Sequence, residues 1–250
     1  MTTVADLFKF EPEAVVGLDF ETLYDTKTGY TLCKMTNEAY IRDPRFEPLC
    51  VAVKVDQAPP VALEIPDFIT WAKQVNWSRV AVESYHAQFD GLILSHHFDI
   101  HPGMFFCPLS MAKILHPGLT SRRLDAIGPY YSAGQKGHEI ENADGKHRSD
   151  FTPAEWAAFM AYCANDVEIM SGVFSKMLAN GFPATELWMV DTTIKMFTEP
   201  RFVLDEPRLR AYLGEERQKK FGLMRRIAGL ADDVPEDVVQ KHVQPYLMSG

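Results

Sequence analysis

The chain has 250 residues, of which 46% are hydrophobic and 24% charged, a composition that suits one large globular domain or a domain with an appendage. Its formal net charge of −9 excludes a protein that holds nucleic acid through its overall field, so a polynucleotide substrate must be bound locally with the help of cations. No apolar run approaches membrane-spanning length, and residues 1–10 lack the features of a signal peptide, so we expect a cytoplasmic protein that does not contact a membrane.

The cysteines point away from a disulfide-stabilised or cysteine-ligated zinc protein. Four are present, and no two of them form a Cys-x-x-Cys pair. Scattered cysteines in a cytoplasmic chain predict reduced thiols. A metal bound mainly through sulfur is therefore not expected.

The stretch from Val15 to Thr22 is the most informative part of the sequence. An apolar run leads into Asp19-Phe20-Glu21 and predicts a short buried strand. Side chains alternate along a strand, so Asp19 and Glu21 point the same way. Two carboxylates this close repel unless a cation lies between them or one is protonated, and a divalent metal is the simplest solution. The alternative is a strand that ends by chance in Asp-x-Glu.

Strands and helices alternate over the next part of the chain. Residues 23–48 contain several breakers and predict a long loop, with a short strand within it as the alternative. Two apolar segments, 49–55 and 61–65, flank Pro59-Pro60 and predict an antiparallel pair of strands. The remaining expected elements are strands at 80–83 and 104–107 and helices at 66–75, 87–98 and 110–115. This order predicts an α/β domain with a mixed sheet flanked by helices.

The second half of the chain is predicted to be mainly helical. Residues 134–149 are rich in Gly, Asn, Asp and Lys and predict an exposed, mobile loop. Thr152-Pro153-Ala154-Glu155 has the features of a helix start, and Asn180-Gly181 those of a helix end. Helices are also expected at 186–198 and 206–228. We place a domain boundary after residue 182, so that residues 183–250 form a C-terminal helical extension.

Two more carboxylates belong with the first pair. Asp90 begins a predicted helix, and Asp166 lies four residues after Tyr162, so Tyr162 and Asp166 share one helical face. Oxygen ligands of this kind suit Mg²⁺ or Mn²⁺, and two such ions stabilise in-line displacement at phosphorus. Tyr162 would then orient the attacking water. The alternatives are a helix-dipole partner for Asp90 and a surface pair for Tyr162 and Asp166.

These segments together resemble a known family. Asp19-Phe20-Glu21, residues 86–90 (His-Ala-Gln-Phe-Asp) and residues 162–166 (Tyr-Cys-Ala-Asn-Asp) are similar, in this order, to the three exonuclease motifs of the DEDD superfamily. Tyr162 is typical of the DEDDy branch, which includes the proofreading domains of family A DNA polymerases. Residues 40–47 (Tyr-x-x-Asp-Pro-x-Phe-Glu) make bacteriophage family A polymerases the most similar group. The resemblance covers roughly residues 14–180 and implies a ribonuclease H-like fold.

The resemblance also implies an activity and a cofactor. The family removes nucleotides from single-stranded or frayed 3′ ends of DNA and releases 5′-monophosphates, here in proofreading during DNA replication. It uses two divalent cations, Mg²⁺ or Mn²⁺, with Asp19 bridging both, Glu21 and Asp166 on the nucleophile side and Asp90 on the other. His86 stands where the family usually has asparagine, and we expect it to contact the scissile phosphate or nucleotide.

Further substrate contacts are expected next to the first motif. Phe20, Leu23 and Tyr24 would form an apolar or aromatic wedge that stacks on the terminal bases, although core packing is an equal interpretation for Phe20. Thr22 is also expected to contact the substrate. A group of basic residues would approach phosphates or form an ordinary solvated charge run. This group consists of Arg122, Arg123, Lys136, Lys146, His147 and Arg148.

Two other functions remain open at this stage. One is a 3′–5′ exoribonuclease of the same superfamily, because the handling of the 2′-OH is not visible in the sequence. The other is a non-catalytic scaffold module for a polymerase. Signatures of a polymerase palm or fingers are absent, so we expect either an excised proofreading domain or a separate exonuclease, with a polymerase domain or subunit as its partner and the bacterial host cytoplasm as its location if a phage encodes it.

Overall fold

The computed structural model describes residues 10–137 and 143–247, with side chains described up to residue 244. The chain divides into two compact units, Met1–Pro200 and Arg201–Gly250. The boundary predicted after residue 182 stays a prediction, but the next helix along the chain, Ala184–Thr198, belongs to the first unit. Its Asp191 accepts a hydrogen bond of 2.7 Å from the backbone N–H of Phe105. None of the described helices has the length and apolarity needed to cross a membrane.

A mixed five-stranded sheet forms the centre of the first unit. Its strands are β1 (Ala14–Thr22), β2 (Pro48–Val55), β3 (Val61–Glu64), β4 (Val80–Glu83) and β5 (Met104–Phe106). Their order is β3-β2-β1-β4-β5. The pairs β1–β2 and β2–β3 are antiparallel, whereas β1–β4 and β4–β5 are parallel. The predicted mixed sheet and the hairpin at Pro59-Pro60 are confirmed.

Helices cover both faces of this sheet. In the first unit they are α1 (Asn37–Ile41), α2 (Ile65–Ala72), α3 (Ala87–Phe98), α4 (Pro108–Leu115), α5 (Leu124–Tyr130), α6 (Pro153–Ala179) and α7 (Ala184–Thr198). The second unit contains α8 (Glu206–Ala228) and α9 (Glu236–Leu247). Helix α1 lies within residues 23–48, where the sequence predicts a loop, so that prediction is wrong for this stretch. Helix α5 lies in a part of the chain for which the sequence predicts no element.

The alternation of side chains along β1 divides the apolar core into two layers. Leu18 and Phe20 point to the face covered by α2 and α3, where Phe68 and Ile93 are buried with them. The opposite face carries smaller residues, such as Ala52 of β2, and packs against α6. Burial of these apolar surfaces is the main force that holds the helices on the sheet. Asp19 and Glu21, which alternate with Leu18 and Phe20 along β1, therefore face α6.

Helix α6 is the longest element of the first unit, and its ends follow the sequence prediction. The Thr152 hydroxyl accepts from the Glu155 backbone N–H at 3.3 Å, and the Glu155 carboxylate accepts from the Thr152 backbone N–H at 2.8 Å. This reciprocal pair is a capping box. The helix runs unbroken to Ala179, and Gly181 follows with a φ of 84°, a conformation that favours glycine. The capping box fixes where α6 begins, and its buried residues, among them Cys163 and Val167, set which face of the helix packs on the sheet.

The predicted loop over residues 134–149 lies partly outside the described residues, since 138–142 are not described. Most of its described residues are exposed, as predicted. Ala143 is buried, however, and the Arg148 guanidinium donates to the Glu64 carboxylate at 2.7 Å. The same guanidinium lies 3.9 Å from the centre of the Trp156 ring. The C-terminal end of this segment is therefore anchored on β3 and α6.

Candidate active site

The first two elements of the site meet because β1 and β4 are parallel neighbours of unequal length. Their pairing ends at Gly17 opposite Glu83, and β1 continues to Thr22 beside β2 alone. The chain leaves β4 and turns into α3, which brings Asp90 back to the free side of β1. Asp90 Oδ1 accepts a hydrogen bond of 3.0 Å from the backbone N–H of Phe20. Asp90 is thus tied to the residue between Asp19 and Glu21.

Helix α6 supplies the third element. Asp19 and Glu21 point toward it, as the strand alternation predicts, and a ligand atom of each lies within 4.8 Å of the other and of the Cys163 sulfur. The Cys163 thiol donates to the backbone carbonyl of Asp19 at 3.5 Å. Asp166 follows on the same helix and is only 2% exposed. The carboxylates predicted from separate segments therefore come together at one place.

Lys136 enters this carboxylate cluster from the segment before residue 138. Its ammonium group donates to Asp166 Oδ2 and lies 5.0 Å from the centre of the Tyr162 ring. Burial lowers the pKa of Lys136, but the charges of Asp166 and Asp19 outweigh burial and raise it overall. Lys136 therefore carries a positive charge into a group of buried acids. The sequence predicts Lys136 only as one of the basic residues that would approach phosphates, and it does not predict the pairing of Lys136 with Asp166.

The electrostatics of the cluster are those of crowded, buried acids. Burial, together with the charges of Asp90 and Asp166, raises the pKa of Asp19 well above its usual value, and Lys136 lowers it. Burial and the Asp19 charge act in the same way on the pKa of Glu21. Burial raises the pKa of Asp90 to about 6, although its hydrogen bonds oppose the change. Bound cations would reverse these shifts, because an adjacent positive charge favours the ionised form.

Tyr162 lies beside the acids on α6. It is buried, and its hydroxyl makes no hydrogen bond of ordinary geometry to another described residue, although the Asp166 carboxylate is adjacent. Burial and the charges of Glu21 and Asp166 raise the pKa of Tyr162. The phenol is therefore neutral at physiological pH. Its O–H can donate a hydrogen bond, and its oxygen can accept one.

A cavity of about 310 Å³ opens onto the cluster. Its lining includes Asp19, Glu21, Asp90, Asp166, Lys136, Phe20, His86, Tyr85, Arg123 and Asp125. His86 precedes the first turn of α3, and burial, with a contribution from the Lys113 charge, lowers its pKa. The imidazole is therefore neutral at pH 7. Arg123 contributes a largely exposed guanidinium at the rim, next to Asp125.

The predicted substrate contacts of the first motif lie in different environments. Phe20 lines the cavity, but its ring stacks on Phe98 at 5.6 Å between ring centres, within the core. The Thr22 hydroxyl is 2.8 Å from the Tyr40 hydroxyl. Leu23 is buried, and its carbonyl accepts from Tyr40. These three roles in substrate binding stay predictions.

The donor set fits hard divalent cations. Four carboxylates supply oxygen ligands, and the nearby sulfur belongs to a thiol that is already committed to the Asp19 carbonyl. Hydrogen bonding to Cys50 and burial raise the pKa of Cys163 well above its usual value, which disfavours the thiolate that soft metals require. All four cysteines are free, as predicted. The residues present therefore suit Mg²⁺ or Mn²⁺ better than zinc.

Comparison with solved structures identifies the fold. No protein-family model matches the chain, and no curated protein matches its sequence. Among solved structures, Brucella melitensis NrnC is similar with a TM-score of 0.55 and 15% identity, over 77% of this chain and 84% of NrnC. The fold is ribonuclease H-like. This confirms the predicted fold class.

Two other structures with this fold are similar to the chain. Trypanosoma brucei RNase D gives a TM-score of 0.54 with 13% identity, over 77% of this chain and 68% of RNase D. The family B DNA polymerase of the archaeon Pyrobaculum calidifontis gives 0.51 with 16% identity, over 75% of this chain and 27% of the polymerase. The ribonuclease H-like domain is therefore shared by proteins that differ widely in length. The special resemblance to bacteriophage family A polymerases stays a prediction.

Proposed function

We propose that this protein is a metal-dependent exonuclease that hydrolyses phosphodiester bonds from the 3′ end of a polynucleotide and releases 5′-monophosphates. One observation carries the proposal: β1, α3 and α6 bring Asp19, Glu21, Asp90 and Asp166 together at one cavity of a ribonuclease H-like fold. Buried acids that raise one another's pKa are costly for a fold and cluster at functional sites. The similar structures include NrnC with bound Mg²⁺ and RNase D in a complex with RNA U12.

The four carboxylates would hold the two cations. We assign Asp19 to both ions, Glu21 and Asp166 to the ion on the nucleophile side, and Asp90 to the other. When bound, two such ions supply stabilisation of both the attacking and the leaving oxygen of an in-line displacement at phosphorus. The hydrogen bond from Phe20 to Asp90 fixes the carboxylate of α3 relative to those of β1. Rigid placement of ligands reduces the reorganisation needed for the reaction.

Other side chains would handle the water and the substrate. The neutral Tyr162 phenol, beside Asp166, would accept a hydrogen bond from the attacking water or donate one to it, and so orient that water. The neutral His86 imidazole would donate a hydrogen bond to the scissile phosphate or the terminal nucleotide. Lys136 and Arg123 line the same cavity and would balance the charge of the backbone phosphates.

We propose single-stranded or frayed DNA as the substrate, with proofreading in DNA replication as the role and a DNA polymerase domain or subunit as the partner. The four exonuclease residues and Tyr162 support this proposal through their resemblance to polymerase proofreading domains. An exoribonuclease is the second candidate. It is favoured by the similar structures of RNase D with RNA U12 and of NrnC bound to pGG.

One assay tests both the reaction and the choice of sugar. The purified protein receives the same single-stranded sequence as 5′-labelled DNA and as 5′-labelled RNA, with Mg²⁺, Mn²⁺ or a chelator. The Asp19→Asn variant is the test of the site, and Asp67→Asn, at an exposed position in the first turn of α2, is the matched control. We expect a metal-dependent ladder that shortens from the 3′ end with wild type and Asp67→Asn and is absent with Asp19→Asn.

The outcomes separate the candidates. Faster shortening of DNA supports the proofreading proposal, whereas faster shortening of RNA replaces it with the exoribonuclease. Normal cleavage by Asp19→Asn would overturn the assignment of the site. A folded wild-type protein that binds metal but cleaves neither strand would identify a non-catalytic module.

A further inference from the structure

Ser84 lies directly after β4 and belongs to none of the motifs discussed above. It is completely buried, and its backbone N–H donates to the Phe106 carbonyl at 3.1 Å, so the sheet fixes its position. Its hydroxyl donates to Asp90 Oδ2. Ser84 therefore contacts a carboxylate of the proposed active site without lining the cavity itself.

The two oxygens of Asp90 are held from two different strands. Oδ2 accepts from Ser84 at the end of β4, and Oδ1 accepts from the Phe20 backbone N–H of β1 at 3.0 Å. Two hydrogen bonds to two oxygens leave one rotational setting of the carboxylate group. A carboxylate offers about four lone-pair positions, so both oxygens retain capacity to bind a cation. Asp90 is thus oriented without being used up as an acceptor.

A purely structural explanation is that Ser84 satisfies a buried acid, which every buried polar group requires. The chain provides a direct comparison. Ser171 of α6 donates to the buried Glu83 carboxylate at 3.4 Å, and Glu83 lies outside the cavity of the carboxylate cluster. The Ser171 bond is long and leaves Glu83 Oε1 without a partner among the described residues. Asp90, in contrast, has a contact on each oxygen and faces the other acids.

We infer that Ser84 is a positioning residue, whose hydroxyl sets the orientation of Asp90 for binding of the divalent cation. The inference rests on the proposed function. Mutation of a residue that hydrogen-bonds to a metal ligand typically weakens metal affinity by roughly 10–100-fold. Loss of the Ser84 hydroxyl frees the Asp90 carboxylate to rotate about its hydrogen bond to Phe20. The cation then has to restrict that rotation when it binds.

The test compares Ser84→Ala and Ser84→Cys with the matched control Ser171→Ala. Binding of Mn²⁺ is measured by calorimetry without substrate, and cleavage is measured as a function of Mn²⁺ concentration. For Ser84→Ala we expect the dissociation constant and the half-saturating Mn²⁺ to rise by roughly 10–100-fold, while kcat at saturating Mn²⁺ stays within about twofold of wild type. Ser84→Cys, which keeps a weak donor, is expected between the two, and Ser171→Ala is expected to match wild type.

The outcomes distinguish this inference from the proposed function. If wild type binds Mn²⁺ and cleaves, and Ser84→Ala binds Mn²⁺ equally well, the role of Ser84 is wrong and the proposed function stands. A loss of kcat with unchanged Mn²⁺ affinity would also overturn the inference. So would a melting temperature far below that of wild type in both Ser84 variants, which would show a structural role. If wild type neither binds Mn²⁺ nor cleaves, the proposed function itself fails, and the role of Ser84 with it.

Discussion

A single buried acid, Glu83 of β4, and the carboxylate cluster around Asp19 of β1 behave differently. Glu83 is isolated, and burial raises its pKa to about 8, so it is mostly protonated at neutral pH. The nearby ammonium group of Lys54 is paired with Glu168 at 2.6 Å instead. The cluster around Asp19 contains several acids whose charges raise one another's pKa, so protonating one of them does not remove the repulsion among the rest. Burial alone thus explains the raised pKa of Glu83, whereas in the cluster the charges of neighbouring acids raise the pKa as well.

This difference shows which buried acids indicate function. A single buried carboxylic acid can be accommodated by neutralisation, at a modest cost in stability. In the cluster, acids from β1, α3 and α6 add mutual repulsion to burial, since the charges of Asp90 and Asp166 raise the pKa of Asp19, and Lys136 is paired with Asp166. Convergence of like charges from separate elements is therefore stronger support for a site than a raised pKa at one residue.

The largest expected effect on cleavage follows from removing one acid of the cluster, compared with removing the carboxylate of Glu83. We expect Asp166→Ala or Asp19→Ala to lower kcat/KM for 3′–5′ cleavage by at least about 10³-fold, or ~4 kcal/mol, because the cation loses a ligand. Glu83→Gln replaces an acid that is already mostly neutral and is expected to stay within about twofold of wild type. Steady-state kinetics on a labelled strand measures both. Equal losses in the two groups would remove the distinction between them.

The pH dependence of stability should separate the groups as well. A carboxyl with a folded-state pKa above its unfolded value stabilises the fold most below the unfolded pKa and loses that contribution as the pH rises through the folded pKa. In chelator, we expect the unfolding free energy to fall between about pH 4 and pH 6 through Asp90, and further toward pH 8 through Glu83, by up to ~1.4 kcal/mol per pH unit for each group. The raised pKa values of Asp19 and Glu21 contribute in the same direction.

Urea denaturation at a series of pH values measures this dependence. Mn²⁺ should remove the part of the pH dependence that belongs to the cluster, and Glu83→Gln should remove the part that Glu83 contributes up to about pH 8. If Glu83→Gln leaves the curve unchanged above pH 6, the protonation of Glu83 is wrong.

Lys136 offers the next test of the cluster. Lys136→Met removes the positive charge next to Asp166, and we expect the chelated protein to lose about 1–3 kcal/mol of unfolding free energy at neutral pH. Lys54→Met is the control, because its partner Glu168 is largely exposed and regains water when the pair is broken. Chemical denaturation in chelator compares the two. A larger loss for Lys54→Met would contradict the role given to Lys136.

Tyr162 is expected to have the smallest effect. Tyr162→Phe keeps the ring and removes the hydroxyl that would orient the water, so we expect about a tenfold loss of kcat, or ~1.4 kcal/mol, with unchanged Mn²⁺ affinity. Tyr130→Phe, at an exposed position on α5, is the control. A loss as large as that of Asp166→Ala would mean that Tyr162 does more than orient water.

Much of this molecule could be predicted from local sequence patterns. The alternation of β1 predicts that Asp19 and Glu21 share a face, and the helical spacing predicts that Tyr162 and Asp166 do. The same alternation places Phe20 on the opposite face, in the core, which weakens the expectation that it stacks on bases. Local patterns therefore predicted which elements carry the acids and that Asp19 and Glu21, and likewise Tyr162 and Asp166, share a face.

Features that depend on long-range contacts could not be predicted in this way. The pairing of Lys136 with Asp166 joins a loop to a helix 30 residues away, and no local pattern encodes it. Helix α5 contains Gly128 and Pro129, which ordinarily indicate a loop, yet Ile127 and Gly128 are buried against α6. Ser84 carries no signal of its own, because its role follows from the position of Asp90 after the turn into α3.

The central claim is that the cluster of Asp19, Glu21, Asp90 and Asp166 is a metal centre, and calorimetric titration with Mn²⁺ tests it most directly. Wild type and Glu83→Gln are compared with Asp166→Asn, which is matched in size and removes one charge. We expect wild type to bind two ions and Glu83→Gln to bind them with the same affinities as wild type. Asp166→Asn is expected to bind at least one of the two ions much more weakly. Binding that is absent from the folded wild type, or unchanged in Asp166→Asn, would contradict the account.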